Sequence, residues 1–211
     1  MIEQRVQRGR PRSERARRAV LESTAELLLR DGLSGVTMDA VARHAGVSKA
    51  TIYRWWPAKE TLAVDALYDE WDAAVPRSAD TGSLRGDLLA LIRPWVKVVQ
   101  DRRYGPVVAG LMAKVQSDPE FAKTYNARLV DPRRERAREA LRRAAERGEI
   151  GPPPDMELAI DLLYGPIYHR LLHGHAPVDD EFLSRLVDGV VAAVAAPDQR
   201  QTTPPAAAPM A

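Results

Sequence analysis

At 211 residues the chain is long enough for one or two domains with a real core, and its 45% apolar and 28% charged residues read as an ordinary soluble globular protein. It has no cysteine, which excludes disulfide frameworks and thiolate metal sites and fits a cytosolic location; no uncharged apolar run approaches the roughly 18 residues of a membrane span, and the basic start lacks the apolar centre of a signal peptide. Net charge is only +2, yet residues 1–60 carry 12 basic side chains against 7 acidic ones and the remainder 19 against 22, so attraction for a polyanion is concentrated at one end.

Most of that excess lies in Arg5, Arg8, Arg10, Arg12, Arg15, Arg17 and Arg18, opposed only by Glu3 and Glu14. Residues 1–12 therefore read as a basic flexible arm able to lie against a polyanion, with a plain solvated tail as the alternative. From Ser13 to Arg30 the residues Ala16, Val20, Thr24, Leu27 and Leu28 recur at helical spacing, and Asp31-Gly32 stops the run. Thr37 then caps a helix of about two turns whose buried face is Met38, Val41, Ala42 and Ala45, and Gly46 suits a left-handed C-cap. Ser48 caps a third helix over Lys49–Trp55, which ends because Pro57 disfavours helical geometry at Trp56. Two short helices across a Gly-containing turn make a helix-turn-helix over residues 13–60. On its last helix Val47, Ile52 and Trp56 share the inner side, while Ala50, Thr51 and Arg54 point away. Lys49, Tyr53 and Trp55 flank them, and the polar tips of Tyr53 and Trp55 are free to meet a phosphate.

The stretch "SGVTMDAVARHAGVSKATIYRWWPAKETLAVDAL", with the preceding "RRAVLESTAELLLRDG", resembles the helix-turn-helix of the tetracycline-repressor (TetR) family of bacterial transcriptional regulators over about the first 65 residues. The resemblance implies that the third helix enters the major groove. Base readout then falls on Lys49, Ala50 and Thr51, and backbone contact on Thr37, Tyr53, Trp55 and Lys59; Ser48 and Arg54 complete the expected DNA-facing set. Asp39 departs from the pattern, because the family's founding members carry a basic residue there for base contact. The chemistry agrees independently: Lys donates to guanine O6 and N7, Ala and the Thr methyl pack on thymine, and Lys59 beside free helix N–H groups makes a phosphate site. A helix-turn-helix used only for packing is the alternative.

Residues 61–196 read as a second, all-α regulatory and dimerisation domain. The fourth helix runs to about Val75, and "PRSADTGS" is a turn-rich link. "LRGDLLALIRPWVKVVQD" carries the apolar stripe Leu88, Leu91, Ile92, Trp95 and Val99, with Pro94 expected to kink it. "GPVVAGLMAKVQSD" and "PEFAKTYNARLV" follow as shorter helices. "DPRRERAREALRRAAERGE" is expected to start at an Asp131 N-cap with Pro132 at its first position, to pair Glu139 with Arg143, and to present its arginines to solvent. "MELAIDLLYGPIYHRLLHG" and "EFLSRLVDGVVAAVAA" are the most apolar helices, and Gly189, Ala192, Ala193 and Ala196 permit close approach. The stretch "DLLYGPIYHRLLHGHAPVDDEFL" also resembles a C-terminal subtype found with this helix-turn-helix, in which the last two helices pair in a homodimer. Leu163, Ile167, Leu171, Leu186, Val190 and Val194 are the expected interface residues. Residues 197–211 read as a disordered tail.

Trp95, Tyr104, Met112, Tyr125 and Tyr164 are the expected lining of an apolar or amphipathic effector pocket, with an ordinary packed core as the alternative. His169 and His173 stand one helical turn apart, with His175 and Asp161 nearby, but no HExxH or thiolate pattern accompanies them and no metal or other cofactor is expected. No phosphate loop, nucleophile motif or paired carboxylates suggest an enzyme. The sequence thus points to a sequence-specific, homodimeric DNA-binding regulator, a repressor released by a small effector and acting on a palindromic operator in double-stranded DNA. A DNA-binding or architectural protein without a small-molecule ligand, controlled by a protein partner or by abundance, is the competing reading.

Overall fold

The computed structural model describes residues 10–72, 76, 79–101, 103–151 and 155–195. The expected arm up to residue 9, the expected end of the fourth helix at Val75, Ala196 and the expected tail at 197–211 lie outside those residues.

Among the described residues the architecture is all-α, as the periodicity predicts. The first helix, α1 (Arg10–Gly35), begins inside the expected arm, with Pro11 in its first turn where a missing N–H costs nothing. It breaks at Gly32, whose φ of 68° and ψ of −176° are open to glycine alone, so the expected stop falls where predicted although helical geometry resumes to Gly35. Helix α2 (Met38–Ala45) is capped by Thr37, whose hydroxyl accepts from the Ala40 N–H, and closed by Gly46 at φ 65°. Helix α3 (Lys49–Tyr53) is capped by Ser48, which accepts from Thr51 N–H. Helix α4 (Lys59–Asp72) follows Pro57.

The body is built from α5 (Leu84–Val99), α6 (Tyr104–Ser117), α7 (Pro119–Tyr125), α8 (Asp131–Glu146), α9 (Met156–His173) and α10 (Asp180–Val194). The α5 helix continues through Pro94 and α9 through Pro166. The expected N-cap at Asp131 is not there. Asp131 is itself helical, and a π-helical turn over Asn126–Val130 joins α7 to α8 without a break. The cause is Pro132: its ring would collide with the Arg128 carbonyl in a regular α-helix, and a wider turn relieves that clash.

Buried apolar side chains form one continuous cluster from Val20, Leu28, Ile52 and Trp56 in the head, through Leu62, Leu67 and Trp71 on α4, to Leu88, Ile92, Trp95, Leu141, Ile160 and Val187 in the body. Each such side chain contributes about 1.5–3 kcal/mol by leaving water. Ile150 and Ala195 are joined by an isolated antiparallel backbone bridge, which ties the end of α10 to the α8–α9 connection.

The arginine-rich helix departs from the expected solvated face. Arg134 and Arg138 do pair outward, with Asp161, Glu157 and Glu135. Arg143, however, does not pair with Glu139. It reaches the Ala79 carbonyl and, with Arg147, the fully buried carboxylate of Asp87 at 3.7 and 3.4 Å. Asp87 also accepts from the backbone N–H and hydroxyl of Thr81 at 2.6 and 2.8 Å, and so clamps the start of α5 to the end of α8.

Candidate nucleic-acid interface

The outward face of α3 is presented by two local decisions of the sequence. Ser48 holds the first turn through its bond to Thr51 N–H and through the 2.9 Å contact between the two hydroxyls. Ile52 and Trp56 bury the opposite side completely or nearly so. Lys49, Ala50, Tyr53 and Arg54 are left exposed and Thr51 half-buried. Tyr53 is 53% exposed, too open to be a core residue, so its ring and hydroxyl are available to a partner. The Arg54 guanidinium lies over the Trp55 ring at 5.0 Å, and Trp55 meets Trp56 edge-on at 5.6 Å. This stack fixes an arginine that would otherwise be free to swing.

Lys49 is not free-standing. Its ammonium is 2.9 Å from the carboxylate of Asp39 on α2, and that hydrogen bond raises its pKa further above the usual lysine range. The Asp39 departure from the family pattern is therefore compensated on the recognition helix itself: the acidic residue on α2 holds the cation expected to read bases. Thr37 is exposed at the same N-terminal end of α2, its side chain already oriented as a cap. Lys59 opens α4 and donates to the Leu33 carbonyl at 3.4 Å, beyond the optimal length, which leaves its other two protons available.

Behind this surface sits a residue that sequence reasoning missed. The indole N–H of Trp56 donates to Asp65 Oδ2 at 2.9 Å, Arg17 approaches the same oxygen at 4.0 Å and lies over the Trp56 ring at 5.7 Å, and Arg128 from the π-turn donates to Oδ1 at 2.8 Å. One largely buried carboxylate on α4 thus holds the recognition segment on one side and the body on the other. No sequence pattern marks it, because its partners are 9, 48 and 63 residues away.

The residues expected to line an effector pocket are for the most part packed against their neighbours. Tyr104 and Tyr125 are packed in the core, and burial pushes both hydroxyls well above the usual tyrosine range. Met112 is half-buried against the core. Trp95 and Tyr164 border a cavity, shared with Leu91, Arg133 and Arg136 and about 10 Å³ in volume. The rings fill their own space: Trp95 packs on Tyr164 at 6.1 Å and on Tyr168 at 5.5 Å.

The six expected interface residues differ in how far the protomer itself covers them. Leu163, Ile167, Val190 and Val194 are buried within the protomer, and Leu171 and Leu186 are half-buried. The apolar surface that α9 leaves open is Leu158, Leu162 and Leu172, at 55, 42 and 45% exposure. His169, His173 and His175 do gather, with ring centroids 4.6, 5.0 and 6.4 Å apart, but Asp161 is engaged by Arg134, and no group of three or more such side chains among the described residues is arranged to hold a metal.

Comparison with known proteins gives this geometry its context. Residues 20–66 match the family model described as bacterial regulatory proteins, tetR family, and residues 78–190 match that of the tetracyclin repressor-like C-terminal domain. The chain is 37% identical over 180 residues to YdeS, an HTH-type transcriptional regulator of Bacillus subtilis, covering 85% of this chain and 90% of that one. It is 34% identical over 199 residues to a DNA-binding transcriptional repressor, TetR, of Mycobacteroides abscessus, covering 92% of this chain and all of the relative. Among solved structures it resembles the TetR family transcription regulator SCO0332, with a TM-score of 0.72 and 38% identity over 85% of this chain and 98% of the other. With both family models placed on the two halves of the fold and the recognition helix presented as described, the chain belongs to the TetR family of bacterial transcriptional regulators, and is a DNA-binding regulator rather than an enzyme.

Proposed function

We propose that the chain acts in the cytoplasm as a homodimeric repressor. Two α3 helices read the half-sites of a palindromic operator, and a small molecule held in the body releases them. The observation that carries this reading is the Asp65 junction, since a carboxylate shared by Trp56 and Arg128 makes the position of the recognition segment depend on the position of the π-turn. Within the head, Lys49, Ala50 and Thr51 meet base edges, while Thr37, Ser48, Tyr53, Arg54, Trp55 and Lys59 meet the sugar-phosphate backbone. Two heads are needed because one short recognition helix reads too few base pairs to be selective. The open Leu158, Leu162 and Leu172 stripe supports pairing through α9. Gly165 and Gly189 support it too, for a Cβ at either would meet only open space and a partner helix can come close.

Ligand release requires that the two head placements differ in affinity for the ligand, since equal affinity would shift nothing. The test is to define the operator by genomic footprinting and to follow its binding by fluorescence anisotropy during a metabolite screen. A saturable loss of operator affinity is expected. A protein that binds its operator tightly and ignores every compound that stabilises it against heat would instead fit control by abundance or by a protein partner.

A further inference from the structure

Arg133, on the first turn of α8, is held in an unusual place for a cation. Its guanidinium lies between two indoles, 4.9 Å from the Trp71 ring and 4.6 Å from the Trp95 ring. Nη1 donates to the Tyr168 hydroxyl at 3.2 Å, and Nη2 is buried with no hydrogen-bond partner among the described residues. The indole N–H groups of Trp71 and Trp95 are buried and unpartnered as well. The Tyr104 hydroxyl lies beside Glu70 and the Trp71 indole yet reaches hydrogen-bond geometry with neither. Buried donors without acceptors are rare, because each gives up its hydrogen bonds to water and gains none in return. Here at least three gather around one arginine. Arg128 has Asp65 as its carboxylate partner, and Arg143 and Arg147 share Asp87. Arg133 has no carboxylate partner among the described residues, and the cavity it borders is lined by a second arginine, two aromatic rings and a leucine.

We propose that Arg133 is the anchor of a ligand site whose occupant carries a carboxylate on a flat apolar body. This rests on the effector-responsive reading above and names the ligand class. The planar guanidinium matches a carboxylate in two parallel bonds, and the surrounding interior strengthens that pairing. Trp95, Tyr164 and Tyr168 supply faces for the flat body. A neutral hydrocarbon would satisfy the rings and leave the donors unmet. At about 10 Å³ the cavity admits nothing larger than a water, so the ligand enters by parting α5, α8 and α9 at this point. Arg133 stands five residues beyond Arg128 across the π-turn, so movement of the start of α8 is passed to the Asp65 junction.

The test uses pairs that differ only in charge: benzoate and benzamide, 2-naphthoate and 2-naphthamide, 9-anthroate and its amide, each titrated calorimetrically into full-length protein. In at least one pair the wild type should prefer the carboxylate by about tenfold or more. Arg133→Met should abolish that preference while keeping amide affinity. Arg133→Gln, which preserves the planar end without the charge, serves if the methionine variant does not fold. A wild type with no preference in any pair, or a preference that survives in the folded variant, overturns the anchor. Operator release by neutral compounds alone would sink this inference and leave the regulatory reading intact. Carboxylate binding through Arg133 without change in operator affinity would keep the anchor and sink ligand release.

Discussion

The Asp39–Lys49 pair is exposed on both sides, so it adds little to stability. Its effect falls on recognition, because Lys49 must leave a carboxylate before it can meet a base. Asp39→Asn should therefore tighten both cognate and scrambled duplexes several-fold at low salt, with the gain shrinking as ionic strength rises. Weaker or unchanged binding in a salt series would show that Asp39 instead orients Lys49 productively. Lys49→Ala should cost about tenfold or more on the cognate site and much less on scrambled DNA, flattening preference at one base position per half-site. Lys59→Ala should weaken both duplexes by similar factors and lower the salt slope by about one per half-site. Anisotropy titrations that could not tell these two lysines apart would remove the division between reading and clamping.

At the scale of elements, the Asp87 clamp and the π-turn decide how the body is set. Asp87→Asn removes the charge that two arginines and Thr81 share inside the fold, and should cost about 2–4 kcal/mol in urea unfolding. A loss below 0.5 kcal/mol, within the range of ordinary surface substitutions, would mean that the clamp is a bystander. These elements also mark what the sequence could and could not disclose. The caps at Thr37, Ser48 and Gly46 were legible because capping is a local matter of one side chain and three residues. So was the buried side of α3, set by Ile52 and Trp56. The junction was not, because Asp65 and Arg128 look like any other solvent-side charges until the fold brings them together. Arg133 and Arg143 were misread for the same reason: within one arginine-rich helix, composition cannot say which cations turn inward. The π-turn had a local signal in Pro132, but the same residue reads equally well as the first position of a fresh helix.

For the whole molecule the consequence concerns assembly. Leu162 is open to solvent, whereas Val190 is only 3% exposed and belongs to the protomer's own core. Leu162→Glu should thus leave the melting temperature of the protomer nearly unchanged, yield a monomer by light scattering, and weaken operator binding steeply. Val190→Asp should behave differently and unfold the chain, since a charge in that position has no partner. If Leu162→Glu remains a dimer, pairing does not use the open face of α9.

The Asp65 junction also limits how freely heads and bodies of such regulators can be recombined. A body grafted onto a foreign head inherits a carboxylate whose Oδ2 expects an indole N–H from position 56 and a guanidinium from position 17. A head with phenylalanine and leucine there would fold and bind its own operator, but the body's Arg128 would hold a carboxylate that grips nothing on the DNA side. Such a chimera should bind DNA constitutively, deaf to whatever the body senses. Restoring the tryptophan and the arginine together should restore the response, so compatibility between modules is written in two side chains rather than in the identity of either module.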